Sequence, residues 1–497
     1  MKITDKFLKQ FTASKLIYCH WKSNEHLGAG IAGRTDLDIL VGEEQINDAR
    51  EILEELGFKK FSPQPWSDYP YMEDWLGVYP GKERIFHIDL HEKLPTGKKY
   101  VKEYLLPWQD KILESRVKNE EHECWTTEPH VEMVLLLVRV ALKLSLVSIG
   151  RSFFRKNYLP PDLKNEFDYL KKQINQKKLK DTAEEMTGEK TAGYLAEIVD
   201  KEKIFSFWPF LKLKKLVKNE ADLEKTKNTI QALFLSLFYM LNIKIQQLLE
   251  KLNLKKMRRK RLPNEGRVIA VIGSDGSGKS TMVNKFKKMI ESKVEISSYY
   301  LGSWLGAGGL YSLVLKSSRF FYRLLTGESS DGGVPGSSST DAGESERSYP
   351  VEIYLALMKL WAAKLRLKKL RKAWKQKKKG RIIITDRYPQ KQFTGLYDGP
   401  ALQEWEEASG LKGWLAKKEK KIYNQISKYI PDVVVKLHLS PEESKDRKPD
   451  HSLANIKQKN EITKKLSFPD STVIDIDAAQ PLEETFNEFA RKTWKAL

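Results

Sequence analysis

Gly273-Ser274-Asp275-Gly276-Ser277-Gly278-Lys279-Ser280-Thr281 is the stretch on which the reading of this chain turns. Its spacing, Gly-x4-Gly-Lys-Ser, is that of a backbone loop that wraps phosphates. The apolar run Val268-Ile269-Ala270-Val271-Ile272 precedes it, as expected of a strand buried on both faces of a parallel sheet. The residues after it, Thr281–Lys288, open a helix. Glycines let the backbone turn tightly where a Cβ would obstruct. Successive N–H groups and the helix N-terminus then face an anion. The loop implies ATP and Mg2+ as cofactors. Gly273, Asp275, Gly276, Ser277, Gly278, Lys279, Ser280 and Thr281 form the nucleotide cradle. Lys279 reaches the β- and γ-phosphates, and Ser280 offers its hydroxyl to Mg2+.

Outward from the loop, strands alternate with helices, which predicts a parallel sheet with helices on both faces. Strands are expected at Arg381–Thr385, Asp432–Leu439 and Thr472–Asp475. Helices are expected at Val351–Lys379 and Leu482–Trp494. Residues Gly327–Ser348 carry Gly, Ser, Asp and Glu with almost nothing apolar, so a mobile insertion is expected there. Three further motifs stand out. Gly380-Arg381-Ile382-Ile383-Ile384-Thr385-Asp386-Arg387-Tyr388 is a strand ending in Asp-Arg-Tyr. Pro431–Leu437 leads through Ser440-Pro441-Glu442-Glu443 to Arg447-Lys448. Asp475-Ile476-Asp477-Ala478 and Pro481-Leu482-Glu483-Glu484 close the chain.

Together with the loop, these motifs resemble the thymidylate kinase group of nucleoside monophosphate kinases over residues 267–497. The resemblance implies transfer of the ATP γ-phosphoryl group to a nucleotide or other phosphorylated small-molecule acceptor. It assigns catalytic roles to Lys279, Asp386, Arg387 and Arg447. Arg387 would hold the acceptor phosphate, Asp386 would lie near metal and phosphates, and Arg447 would close over ATP. Tyr299-Tyr300-Leu301-Gly302-Ser303-Trp304 lacks the acidic residue of a true thymidylate kinase, and Tyr397-Asp398-Gly399-Pro400 is foreign to it, so a different acceptor is expected.

A second constellation lies near the N-terminus. Gly33-Arg34-Thr35-Asp36-Leu37-Asp38-Ile39-Leu40-Val41 places two aspartates on one face of a strand, about 7 Å apart. Ile85-Phe86-His87-Ile88-Asp89-Leu90-His91 adds a third carboxylate. Asp36, Asp38 and Asp89 gathered in this way suit two divalent ions in an in-line attack. His87 and His91 share the face of Asp89 and read as packing or supporting groups. The pattern resembles the nucleotidyltransferase fold, in which a Gly-Ser turn precedes the Asp-x-Asp pair. Here Trp21-Lys22-Ser23-Asn24 stands at that distance, so the resemblance makes Ser23, with Lys22 in place of glycine, a triphosphate contact. Alternatives are an inactive domain of that fold or solvent-facing strand-end acids.

The chain then divides into an α/β domain at 1–110, a helical region at 111–254, a basic linker at 255–266 and the phosphate-loop domain at 267–497. The α/β domain is expected to carry strands at Leu16–Tyr18, Leu37–Val41 and Ile85–Leu90 and a helix over Glu43–Leu56. In the middle, helices are expected at Val131–Val147, Leu163–Ile174, Thr182–Ile198 and Ala221–Leu252. Lys255–Arg261 reads as a solvated hinge. The longest apolar run, Ala232–Leu241, is shorter than the roughly 20 residues a bilayer requires. It reads as part of a buried helix, and no transmembrane segment is expected.

Lys and Arg exceed Asp and Glu by 87 − 66 = 21 in 497 residues. That excess suits anionic partners, including nucleotides, nucleic acid and other polyanions, or serves only solubility. Cys19 and Cys124 are the two cysteines. They make neither a metal motif nor a disulfide framework, and with a polar N-terminus they fit a cytoplasmic protein. A non-catalytic nucleotide sensor and a nucleic-acid-associated enzyme are the rival classes. A single copy and an oligomer are both open.

Overall fold

The computed structural model describes residues 9–79, 81, 84–144, 161–203, 207–254, 256–302, 348–449 and 452–497. The expected insertion at 327–348 lies outside the described residues except for Ser348, and so do Ser303 and Trp304. The chain folds as two compact units: Met1–Tyr79 with Ile85–Lys260, and Pro80–Arg84 with Arg261–Leu497.

The first unit is built on a seven-stranded mixed sheet. Its strands are β1 (Tyr18–His20), β2 (Leu37–Val41), β3 (Lys59–Phe61), β4 (Met72–Tyr79) and β5 (Arg84–His91), together with β8 (Val117–Asn119) and β9 (Cys124–Thr126). Between β5 and β8, β6 (Leu94–Thr96) and β7 (Tyr104–Leu106) form a small sheet with β10 (Glu224–Lys225). The large sheet runs in the order β3-β4-β5-β2-β1-β9-β8, so strands from beyond residue 110 complete it. Side chains alternate across a strand. Ile39 and Val41 accordingly enter one core cluster with Ala49 and Leu53 of the helix Ile46–Glu55. Leu40 enters another with Val131, Val134 and Leu135 of the helix Pro129–Leu142.

That helix has every residue from His130 to Leu142 buried, as its all-round apolar sequence predicts. Beyond it the middle of the chain differs from expectation. The helix predicted over Thr182–Ile198 is two helices, Gln176–Thr187 and Glu189–Asp200, because Gly188 sits at φ +95° between them. Phe207–Glu220 is a further helix, and the predicted start of the next at Ala221 is displaced by β10 to Thr229.

The helix Thr229–Lys251 is also not the buried element expected. Only Ala232, Ile243 and Gln246 are buried, while Phe234, Phe238 and Leu241 are more than half exposed. By length and composition it is the one helix among the described residues long and apolar enough to cross a membrane. Residues within the basic segment make ion pairs. Lys260 pairs with Asp74 of the first unit, and Arg261 pairs with Glu295 of the second at 2.8 Å.

In the second unit, β11 (Val268–Gly273), β12 (Ile296–Tyr300), β13 (Ile382–Asp386), β14 (Val433–His438) and β15 (Thr472–Asp477) form one wholly parallel sheet. Its order is β12-β13-β11-β14-β15. Every residue of β11 is buried, which explains its unbroken apolar run. Helices cover both faces. Phe286 of Lys279–Ile290 and Phe489 of Leu482–Lys495 meet edge to face at 5.7 Å. Tyr349–Lys377, Gly410–Ile426 and Leu453–Lys465 bury Leu360, Leu415 and Ile462 with Ala270 and Ile272.

Candidate functional sites

The register of the parallel sheet assembles the phosphate-loop site. Val271 on β11 stands beside Asp386 on β13, so the glycine loop and the Asp-Arg-Tyr turn leave neighbouring strand ends. Ligands of open parallel sheets lie at such carboxyl ends. Gly276 and Gly278 adopt φ +88° and +86°, the left-handed turn that the motif predicts. A Cβ on Gly276 would lie 2.9 Å from the Ser444 carbonyl, so the short helix Pro441–Arg447 rests directly on the loop.

Lys279 is buried and donates to the Ser274 carbonyl at 2.5 Å. Burial, and then repulsion from Arg387, lower its ammonium to about 8. The Ser280 hydroxyl bonds Oδ2 of Asp386. The other oxygen, Oδ1, is buried without a hydrogen-bond partner among the described residues. A hydroxyl beside a buried carboxylate with a spare oxygen is a donor set that fits Mg2+.

Asp275 is the centre of the loop's charge network. Arg387 Nη2 donates to one of its oxygens at 2.7 Å and Lys459 Nζ to the other at 2.5 Å. Burial opposes its ionisation, but Arg387, Lys459 and Lys279 hold the carboxyl well below the usual range. Arg387 itself sits at φ +67°, its N–H bound to the Val271 carbonyl at 3.0 Å. The Arg447 guanidinium, expected to close over ATP, donates to the Ala478 carbonyl at 3.1 Å, and Lys459 is the second cation on Asp275.

Beside Arg387, the segment Tyr397-Asp398-Gly399-Pro400 forms a wall pinned by side-chain bonds. Asp398 pairs with Arg366 at 2.7 Å, and the Tyr423 hydroxyl donates to the Asp398 and Gly399 carbonyls. A Cβ on Gly399 would lie 2.1 Å from the Phe393 carbonyl. The residues foreign to a thymidylate kinase are thus held beside Arg387, with Asp398 3.9 Å from its guanidinium.

The N-terminal carboxylates also converge. β2 and β5 are parallel neighbours with Asp38 beside Asp89 in register. Asp36 reaches them through His87, whose Nδ1 is 2.8 Å from Asp36 and whose Nε2 is 2.8 Å from Asp89. Two ligand groups follow, Asp36–His87–Asp89 and Asp38–Asp89–His91, each with its ligand atoms within 4.8 Å of one another. Their mixed oxygen and imidazole donors fit divalent cations. His87 and His91 could thus join the carboxylates in holding an ion, besides serving the packing.

Burial works against a charge on His87, but the carboxylates around it raise its pKa well above the usual value. Lys260 from the end of the first unit contacts both Asp74 and His87 Nε2. Lys22 lies on Asp38 at 2.6 Å, so it contacts the carboxylate cluster directly. Ser23 takes φ +56°, in the left-handed region, and its hydroxyl donates to Glu166 at 3.3 Å. Lys102 was missed by sequence reasoning. Burial and the nearby Lys22 lower its ammonium to about 7.

Both cysteines are free and buried, and burial pushes each thiol up to about 12.

No family model matches the chain. Solved structures of deoxyadenosine kinase from M. mycoides resemble it, one with bound dATP at 18% identity and TM-score 0.27, covering 46% of this chain and 98% of that one. Two Escherichia coli proteins are similar in sequence. The uncharacterized ATP-binding protein YghR of strain K12 is 27% identical over 224 residues, 44% of this chain and 84% of its own length. The uncharacterized ATP-binding protein YghS of the same strain is 30% identical over 233 residues, 46% of this chain and 94% of its own length. With nearly all of YghS matched at that identity, the chain belongs to the family of ATP-binding proteins that YghS represents.

Proposed function

We propose that the second unit is an ATP-dependent phosphotransferase of the nucleoside monophosphate kinase type. The observation that carries this reading is the gathering of Lys279, Arg387 and Lys459 about Asp275, beside Ser280 and the spare oxygen of Asp386. Phosphoryl transfer asks for positioning and charge neutralisation more than for covalent chemistry. The loop's N–H groups and Lys279 hold the β- and γ-phosphates. Arg387 faces the acceptor side and orients its phosphate. Lys459 neutralises charge on the group in transit. Ser280 and Asp386 would hold Mg2+, which would supply positive charge to offset that of the phosphates. The acceptor is a nucleotide or another phosphorylated small molecule whose shape is read by the wall at Tyr397–Pro400.

The N-terminal unit is proposed to bind a nucleoside triphosphate with divalent metal at Asp36, Asp38 and Asp89, and to transfer a nucleotidyl group. The register of Asp38 with Asp89 favours this second activity. The ammonium groups of Lys22 and Lys102 would meet the triphosphate.

The test is incubation of the full chain with labelled Mg-ATP and a panel of nucleotides, sugar phosphates and oligonucleotides, with products identified by mass. A phosphorylated acceptor is expected, and Lys279→Ala is expected to lower its formation by about 10²–10³-fold. ATP binding without turnover on any acceptor overturns the reading in favour of a sensor. For the N-terminal unit, Asp36→Ala with Asp38→Ala is expected to remove any nucleotidyl product while leaving the kinase product unchanged.

A further inference from the structure

The helix Thr229–Lys251 has two opposed faces. On one, Ala232, Ile243 and Gln246 are buried in the first unit. The Ser236 hydroxyl donates to the Lys99 carbonyl at 3.1 Å, and Gln246 accepts from the Arg258 N–H at 3.1 Å. On the other, Ile230, Phe234, Phe238, Leu241, Ile245 and Leu248 are between 52% and 81% exposed. At helical spacing these six fall within an arc of about 80°, so they form one continuous apolar stripe some 30 Å long. Among the described residues nothing covers it. Stripes of this size on a soluble surface mark contact sites.

The charges around the stripe say what it contacts. Lys244 and Lys251 are exposed and lie along one margin of the stripe. The chain then runs directly into Lys256, Arg258 and Arg259, with the Arg258 N–H tied to Gln246 of the same helix and Arg259 3.9 Å from Glu250. Glu250 is the only acid in the helix. An apolar stripe edged by lysines, with their stems along apolar surface and their heads outward, is the pattern of a helix lying in the headgroup region of an anionic bilayer. The buried inner face, with its polar bonds to the body of the unit, suits a helix lying flat on the surface better than one crossing the membrane.

We propose that this helix docks the protein peripherally on anionic lipid membranes. Its apolar stripe enters the acyl boundary, and Lys244, Lys251 and the following basic segment engage lipid phosphates. A second copy of the chain is the rival occupant of the stripe. The basic segment speaks against parallel pairing, which would bring two such segments side by side.

The test is co-sedimentation of the full chain with vesicles of phosphatidylglycerol and phosphatidylcholine, against vesicles of phosphatidylcholine alone, at low and high salt. Binding to the anionic vesicles, weakened by salt, is expected. Phe234→Ser with Leu241→Ser and Leu248→Ser is expected to reduce it by more than about 100-fold. These side chains are exposed, so circular dichroism and thermal unfolding should be unchanged. Lys244→Glu with Lys251→Glu leaves the stripe intact and is expected to lower anionic binding by about ten-fold or more. That pair decides the matter if the serine variant fails to fold. The proposal is overturned by absence of vesicle binding in the parent chain, by equal binding to neutral vesicles, or by full binding of either folded variant. It is also overturned if the parent is a dimer that the serine substitutions convert to a monomer without any vesicle binding.

Discussion

At the scale of single residues, buried charge is settled by its neighbours. Asp275 and Glu132 show the two outcomes. Asp275 is ionised because three cations surround it. Glu132 is 1% exposed, and burial, outweighing the hydrogen bonds from Asn24, raises its pKa from 4.5 to about 7. The folded state therefore holds a proton that the unfolded state releases near pH 4.5. This contribution to stability is complete below pH 4.5 and is lost as the pH rises to about 7. The loss is on the order of 3 kcal/mol. Urea unfolding followed at pH 5 and pH 8 should show the first unit less stable at the higher pH. Glu132→Gln should flatten that difference, because the glutamine has no proton to lose.

At the scale of elements, the helix Pro441–Arg447 seated on the glycine loop governs how much that loop can change. Gly276→Ala forces a Cβ toward the Ser444 carbonyl at an already left-handed φ. It is expected to cost about 1–3 kcal/mol and to weaken Mg-ATP binding by about ten-fold or more, measured by calorimetry. The same element shows what was legible in the sequence. The loop, β11 and the turn at Asp386-Arg387 were readable because their chemistry is local and their spacing fixed. The pairing of Asp38 with Asp89 was half readable: each apolar strand announced itself, while their register is a property of the sheet. Lys459 gave no signal, being one lysine on a helix in a chain with 87 Lys and Arg residues. Lys459 and Arg447 stand on two neighbouring basic helices, and sequence alone does not show which cation turns toward the loop. β4 and β12 went unread because Met72–Tyr79 and Ile296–Tyr300 mix polar and apolar residues. The helix Thr229–Lys251 was misjudged by counting a contiguous apolar run. The informative quantity was the outward stripe, which appears only when residues are projected around the axis.

At the scale of the whole molecule, the chain has two units, each with its own sheet and core. The phosphate loop belongs to one of them. A ligand that binds only the native state raises stability by mass action, by about 2.7 kcal/mol at a concentration one hundred times its Kd. Calorimetric heating with Mg-ATP should therefore move the transition of the second unit to higher temperature. Removing Mg2+ with a chelator should abolish most of that shift.

Cys19 and Cys124 both belong to the first unit, where they are 0% and 1% exposed, and the second unit has no thiol at all. A thiol-modifying reagent thus has nothing to react with until the N-terminal sheet opens. The chain carries its own chemical clock for that event, and a cysteine installed at an exposed position would be labelled against a silent background.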